Sequence, residues 1–137
     1  MLSRFIDSFS ASFKVWHFIL PTIYGETEAA HRLIPYPLKT LRNGLPLDIT
    51  SGDQIRQYIY VDEIPIIISK AIEKNLHSGI YNISGVESFS IRELVTLLAG
   101  YLGIDLSPDV FGRAVRNDAG MKILLLDGSK LHNEIEY

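Results

Sequence analysis

An arginine stands inside a stretch that otherwise has the pattern of a β-strand. In SGDQIRQYIYVDEI, residues 51–64, Arg56 alternates with Tyr58 and Tyr60, so a strand would place the three side chains on one face. A guanidinium group is always charged and offers a planar fork of N–H donors to phosphate or carboxylate oxygens. Such a group could bind an anion in a cleft shaped by the two tyrosines, and the pattern alone leaves this interpretation open. The alternative is an exposed arginine in a weak surface ion pair.

The other common catalytic arrangements are missing from the sequence. The four histidines have neither helical spacing nor a carboxylate pattern typical of metal sites, and there are no cysteines. No serine lies in a Gly-x-Ser-x-Gly turn, and no Gly-rich phosphate loop is present. Glu26 and Glu28 follow a turn, where paired carboxylates are usually solvated. The sequence therefore predicts neither a metal site nor a hydrolase triad.

Length and composition are those of one globular domain. The chain has 137 residues, of which 47% are hydrophobic and 21% charged, so a core can offset the entropy of ordering. The net charge of -3 and the scattered basic residues argue against nucleic acid as a partner. No apolar run reaches the length of a membrane span, and the start lacks the apolar core of a signal peptide. We expect a single domain over 1–137 in the cytoplasm, without a membrane partner.

The first half of the chain predicts helices and short strands. Residues 2–13 carry apolar side chains at helical spacing, and KVWHFIL, residues 14–20, is a continuous apolar run of the kind found in parallel sheets. A second helix should start near Pro37 or kink there, and Asn43-Gly44 should end it. LPLDI, residues 45–49, is predicted to be a short strand.

The second half alternates strands with helices. Asp62 is placed to cap the helix that follows the Arg56 strand, and GIYNIS, residues 79–84, predicts another strand. Ser90 and Glu93 have the spacing of a capping box, and a last helix should start near Ser129. This alternation is typical of an α/β fold.

Five segments in order resemble the NAD(P)-dependent nucleotide-sugar epimerase/dehydratase family, the extended short-chain dehydrogenases/reductases. The resemblance begins with SGDQIRQYIYVDEI and covers nearly all of the chain. The other four segments are KVWHFILPTIYGE, HRLIPYPLKTLRNGLPLDI, SGIYNISGVESFSIRELVTLLAGYLG and LLLDGSKLHNEIEY.

The resemblance implies the C-terminal portion of a Rossmann-like fold. This portion would comprise the last sheet strands and the small substrate-binding lobe. The family's N-terminal half carries a Gly-rich cofactor loop and a Tyr-x-x-x-Lys pair, and neither motif occurs in this sequence. The chain resembles a portion that begins just past the catalytic lysine. The full-length family enzymes use NAD or NADP, whereas we expect this chain alone to bind neither cofactor and to hold no catalytic residue.

The resemblance also implies substrate-binding residues. Arg56 matches the arginine that binds the substrate diphosphate. Thr22 replaces an asparagine that contacts substrate. Arg32 and Leu33 match an Asn-Leu pair that approaches it. Ile19 departs from the family, which usually has an arginine at this position.

A second phosphate arginine has two candidates. Arg113 and Arg116 both precede Asp118, and the spacing does not choose between them. With these residues, the resemblance implies a nucleotide-sugar substrate for an oxidoreductase of the epimerase/dehydratase type. The alternative is a non-catalytic relic or stand-alone binding or interaction domain without NAD chemistry.

A homo-oligomer is also expected. If the strand over residues 14–20 lacks its neighbour from the N-terminal half, its apolar edge is open to another chain. The side chains expected to become buried in such an interface are Val15, Trp16, Phe18 and Ile19.

Overall fold

The computed structural model describes residues 13–115 and 121–136. Most of the helix predicted for residues 2–13 lies outside these ranges, and so does Arg116. The described elements form a mixed α/β fold, as the alternating pattern predicted. In chain order they are β1 (Trp16–Ile19), β2 (Thr22–Tyr24), α1 (Pro35–Arg42), β3 (Ile55–Tyr60), α2 (Glu63–Glu73), β4 (Gly79–Asn82), β5 (Ser88–Ser90), α3 (Ile91–Tyr101), a 3-10 turn (Pro108–Val110), β6 (Ile123–Leu124) and α4 (Ser129–Ile135).

The chain divides into two compact units. The first unit comprises Met1–Ile23, Gln57–Val86 and Leu125–Tyr137, and the second comprises Tyr24–Arg56 and Glu87–Leu124. Each unit has a hydrophobic cluster of its own. The single domain expected over 1–137 stays a prediction. Across the described ranges, no helix is both long and apolar enough to cross a membrane.

The first unit is built around a parallel strand pair. β1 runs beside β4, with Trp16 opposite Gly79 and Ile19 opposite Asn82. Both strands were predicted, and a parallel pair is the arrangement that the apolar run over residues 14–20 indicated. Side chains from β3, α2, β4 and α4 fill the core of this unit. Its buried members are Ile59, Ile67, Ala71, Leu76, Tyr81, Ile83, Leu131 and Ile135.

The second unit packs α1 and α3 around a smaller core. Its buried members are Leu41, Leu47, Ile49, Val95 and Ala99. The strand predicted over residues 45–49 is wrong, because this segment forms only one isolated bridge, from Ile49 to Phe111. Pro46 has no N–H for a ladder, so the segment contributes buried side chains instead of strand pairing.

A helix begins where the sequence predicted when its capping residues are close together in the sequence. Ser90 and Glu93 form the predicted capping box: the Ser90 hydroxyl accepts from the Glu93 N–H at 3.1 Å, and the Glu93 carboxylate accepts from the Ser90 N–H at 2.7 Å. Asp62 precedes α2 as predicted, but its side chain makes no cap hydrogen bond. Its backbone is already helical, with φ -73° and ψ -15°, and an N-cap side chain needs an extended residue.

The remaining two helices begin near their predicted positions. α1 starts at Pro35, one proline earlier than predicted, because the first turn of a helix tolerates residues without an N–H. It ends at Asn43-Gly44, where Gly44 has a positive φ of 62°. α4 starts at Ser129, as predicted.

Candidate functional site

Arg56 is half-buried at the start of β3, and main-chain carbonyls fix its guanidinium group. Nη1 donates to the Ile55 carbonyl at 2.7 Å and to the Lys122 carbonyl at 3.2 Å. Nη2 donates to the Met121 carbonyl at 2.6 Å. No described carboxylate forms an ion pair with Arg56. Among the described residues, the side chain is therefore held by neutral groups, and none of their carboxylates compensates for its charge.

The strand pairing of β3 with β6 creates this anchor. The two strands run parallel, with Ile55 opposite Ile123 and Arg56 opposite Leu124. The Lys122 carbonyl accepts from the Ile55 N–H at 2.8 Å as well as from Arg56. The segment that contains Lys122 therefore positions both the strand and its arginine.

Arg56 has N–H donors that none of the described contacts uses. A guanidinium group carries five N–H donors, and the three carbonyls leave Nε–H and one Nη2–H without a described partner. Nε and Nη2 lie on the same edge of the guanidinium plane. An oxyanion at that edge would meet a charged group whose orientation is already fixed.

Arg32 is an exposed arginine that is paired with a shielded carboxylate. Its Nε lies 3.1 Å from Oε1 of Glu28, and the two side chains are 54% and 13% exposed. The expectation that Glu28 is solvated is therefore wrong. A turn closed by the Glu28 N–H and the Gly25 carbonyl, at 3.2 Å, precedes this residue. The four-residue Glu–Arg spacing was the signal available in the sequence.

The other predicted site residues fall into separate environments. Arg113 is ion-paired with Asp109, and the pKa of that carboxyl lies below its usual range because it accepts from the Ser107 hydroxyl and from Arg113. Leu33 is half-buried in the second unit, and Thr22 is half-buried on β2 in the first. Arg32, Arg56 and Arg113 share no hydrogen-bond partner, so the structure does not join them into one network.

Arg92 is a structural arginine that the sequence analysis did not single out. Its guanidinium carbon lies 4.2 Å from the centre of the Phe111 ring, and Nη2 donates to the Ser51 carbonyl at 2.8 Å. Gly52 has a φ of 78°, and an added Cβ would lie 3.0 Å from the Arg92 main-chain nitrogen. These contacts hold the turn that leads into β3. The Ser-Gly pair before the strand was the available sequence signal.

Tyr81 and Asn82 have structural contacts in the first unit. The Tyr81 hydroxyl donates to the His77 carbonyl at 3.0 Å, and its pKa is raised by burial and then by the neighbouring Glu134 carboxylate. Asn82 donates to the Asp127 carbonyl at 3.0 Å. Within the described ranges, no three His, Asp or Glu residues are grouped to hold a metal ion.

Sequence comparison matches this chain to one enzyme family. The model of the NAD dependent epimerase/dehydratase family matches residues 1–84. A curated relative, CDP-abequose synthase of Salmonella muenchen, is 31% identical over 64 residues, which are 47% of this chain and 22% of that protein.

Solved structures of similar fold align with nearly the whole chain. DesIV, a dTDP-glucose 4,6-dehydratase from Streptomyces venezuelae solved as a double mutant with NAD bound, has a TM-score of 0.84 at 22% identity. The alignment covers 98% of this chain and 42% of that one. A UDP-N-acetylglucosamine 4-epimerase from Methanobrevibacter ruminantium, in complex with UDP-N-acetylmuramic acid, has a TM-score of 0.81 at 21% identity, over 98% of this chain and 44% of that one.

The match to the family model and the similarity to solved structures support different conclusions. At these identities the solved structures show the fold alone, and the chain spans less than half the length of each. The family model is more specific, because its match extends through SGDQIRQYIYVDEI to the end of β4. This chain belongs to the NAD dependent epimerase/dehydratase family.

Proposed function

We propose that this chain is the substrate-binding portion of an NAD(P)-dependent nucleotide-sugar epimerase/dehydratase-type oxidoreductase. It would correspond to the C-terminal part of that fold, with the last sheet strands and the substrate lobe. The observation that carries this proposal is Arg56, whose charged guanidinium is anchored on three carbonyls and has two N–H donors left. The names of the relatives support it, because they are enzymes of CDP-, dTDP- and UDP-sugars.

In this proposal Arg56 binds the diphosphate of the nucleotide sugar. The Nε and Nη2 edge would donate to two phosphate oxygens, and the main-chain anchor would remove most of the entropy cost of ordering the side chain. Thr22, Arg32 and Leu33 would make further substrate contacts, and either Arg113 or Arg116 would supply the second phosphate arginine. Binding and orienting the substrate are the steps we assign to this chain.

The surroundings of Gly85 and Gly128 do not fit the diphosphate of a dinucleotide cofactor. Gly44, Gly52 and Gly103 have positive φ and stand at helix ends or a turn. At Gly85 an added Cβ would lie 2.3 Å from the Tyr58 carbonyl, and at Gly128 it would lie 2.4 Å from the Ser84 hydroxyl, so atoms of the chain itself fill both places. We therefore assign no cofactor contact and no redox step to these residues. NAD or NADP would be bound by the rest of the enzyme.

Isothermal calorimetry with CDP, dTDP and UDP tests this function. We expect at least one of the three to bind the chain, and Arg56→Lys to weaken that binding about tenfold or more, because an ammonium group loses the bidentate geometry. Arg42→Lys is the matched control: Arg42 is exposed at the end of α1 and should not affect binding. Equal affinity for wild type and Arg56→Lys would contradict the proposed role.

A stand-alone binding domain without NAD chemistry is the second candidate. Both candidates predict nucleotide binding, and both predict no hydride transfer by residues 1–137 alone. Adding the cofactor-binding portion of a family enzyme distinguishes them, since only the first candidate predicts turnover of the mixture. Hydride transfer by the chain alone would contradict both.

We also propose that the chain forms a homo-oligomer through the open edge of β1. Among the described strands, β1 pairs with β4 only, and Ile19 is 39% exposed. Trp16 and Phe18 are half-buried against the core of the first unit, so the interface would rest on the main-chain edge and Ile19 more than on these rings. Sedimentation at high protein concentration should show a dimer or larger species. A monomer would rule out this association.

A further inference from the structure

Glu28 is a shielded carboxylate with one partner. Its side chain is 13% exposed, and Oε1 accepts from Nε of Arg32 at 3.1 Å. Oε2 is buried and has no hydrogen-bond partner among the described residues. Removing a carboxylate from water is costly unless a cation compensates for it. Arg32 is the only described cation that pairs with Glu28.

Arg32 is fixed at its main chain as well as at Nε. Its N–H donates to the Ala29 carbonyl at 2.9 Å, and its carbonyl accepts from the Tyr36 N–H at 2.9 Å in the first turn of α1. The root of the side chain and its Nε are therefore held, and rotation of the remaining guanidinium group is restricted.

The far end of the same guanidinium group has no partner in the part of the chain that the structure describes. The Nη1 and Nη2 groups of Arg32 have no described partner, and the side chain is 54% exposed. This arrangement differs from a surface pair in which both charges are solvated. Here the carboxylate is shielded and holds the Nε of the arginine, while the terminal donors of a largely exposed side chain have no described partner. Such a fork matches an oxyanion in two-point geometry.

We propose that Glu28 is a positioning residue that holds Arg32 so that its terminal Nη groups bind an oxyanion of the substrate. The inference rests on the proposed function, because the oxyanion belongs to the nucleotide sugar. It is either an oxygen pair of the diphosphate or the carboxylate of an acidic sugar. Both are planar or near-planar pairs of oxygens that an arginine fork recognises.

The experiment measures ligand affinity for variants of this pair. The probes are the glucose and glucuronic acid derivatives of whichever nucleoside diphosphate binds best in calorimetry. Glu28→Ala and Arg32→Lys should each weaken binding about tenfold, because a hydrogen bond to a charged group is lost or misplaced. Glu28→Gln, which keeps the shape and one acceptor, should have a smaller effect. The matched control is Glu26→Gln, an exposed carboxylate of the same turn, which should leave affinity unchanged.

The two probes identify which oxyanion is bound. An equal loss of affinity for both derivatives assigns Arg32 to the diphosphate, whereas a loss for the glucuronic acid derivative alone assigns it to a sugar carboxylate. Because Glu28 acts through Arg32, Glu28→Ala combined with Arg32→Ala should bind no more weakly than Arg32→Ala alone. A role confined to stabilising the turn would lower the melting temperature and leave affinity unaltered.

Unchanged affinity for both probes in folded Glu28→Ala protein would overturn the inference, with folding checked by circular dichroism. This failure can be distinguished from failure of the proposed function. If Arg56→Lys still weakens binding, the function stands and only the role of Glu28 is rejected. If the wild type binds no nucleotide, the proposed function itself fails and the inference fails with it.

Discussion

The two units use their polar side chains differently. In the first unit, polar side chains are mostly taken up by contacts within that unit: Lys74 pairs with Glu136 at 2.8 Å, Lys130 donates to the Ile80 carbonyl at 3.1 Å, and Asn82 donates to Asp127. In the second unit, Arg32 and Arg56 each use some of their guanidinium N–H groups in contacts within the unit and have others without a described partner.

This difference separates stabilising groups from binding groups. A polar group with all its contacts inside the unit contributes to folding, and its removal should change stability without changing ligand affinity. Replacing an arginine that is held by some of its N–H groups and has others without a described partner should instead change ligand affinity more than stability. The substitutions below test this distinction, from the largest expected effect to the smallest.

Gly85→Ala should cause the largest loss of stability. An added Cβ would lie 2.3 Å from the carbonyl oxygen and 2.9 Å from the nitrogen of Tyr58, and main-chain atoms cannot move as a side chain can. We expect a loss of about 3 kcal/mol in the free energy of unfolding, measured by urea denaturation. Gly100→Ala is the control in α3, where an added Cβ meets nothing within 4 Å, and it should stabilise by about 1 kcal/mol. Equal effects of both substitutions would contradict the close packing at Gly85.

Tyr81→Phe tests whether a polar group of the first unit acts in stability alone. The substitution removes the hydroxyl that donates to the His77 carbonyl at 3.0 Å, inside a buried cluster. The free energy of unfolding should fall by about 1–2 kcal/mol, because the carbonyl loses a partner. Nucleotide affinity by calorimetry should equal that of the wild type. A change in affinity as large as that of Arg56→Lys would break the distinction between the two units.

Arg92→Ala tests an arginine of the second unit that should stabilise the fold and take no part in ligand binding. This arginine packs on Phe111 at 4.2 Å and donates to the Ser51 carbonyl at 2.8 Å, so its role should be structural although it is an arginine. We expect a loss of about 1–2 kcal/mol in the free energy of unfolding. Arg42→Ala, at the exposed end of α1, is the control and should have little effect. If Arg92→Ala left stability unchanged, the contacts around Gly52 would not hold the turn before β3.

The sequence predicted features that depend on neighbouring residues. The capping box of α3 lies within four consecutive residues, so the residue types alone were sufficient to locate it. β1 was recognisable from the apolar run over residues 14–20 that contains it. The prediction that the Asp62 side chain caps α2 was wrong. The backbone of Asp62, between β3 and α2, is already helical, and residue types alone did not show this.

Features that depend on distant residues could not be predicted in the same way. Two of the carbonyls that hold Arg56 come from residues 121 and 122, more than sixty positions away. The shielding of Glu28 likewise results from packing that its turn motif does not specify. The family resemblance therefore suggested a site at Arg56. The contacts that fix its guanidinium group are visible only in the structure, where β3 and β6 are paired.

Ser90→Ala should cause the smallest loss in the free energy of unfolding, and the size of this loss should depend on pH. Losing the capping hydroxyl should cost about 1 kcal/mol in the free energy of unfolding near neutral pH. In the folded protein the pKa of Glu93 lies below its ordinary value of 4.5, because its carboxylate accepts hydrogen bonds from the Ser90 N–H and hydroxyl. A lowered folded-state pKa contributes stability above that ordinary value and loses it as the pH falls through the folded-state pKa.

The difference in stability between wild type and Ser90→Ala should therefore be largest near pH 7 and should shrink as the pH falls below 4.5. Urea denaturation of both proteins at a series of pH values measures it. Glu87→Gln, an exposed carboxylate just before β5, is the control and should leave the pH dependence unaltered. A difference that stays constant from pH 7 into the acid range would show that the Ser90 hydroxyl contributes nothing through the charge of Glu93, and that its bond to the Glu93 N–H alone stabilises the start of α3.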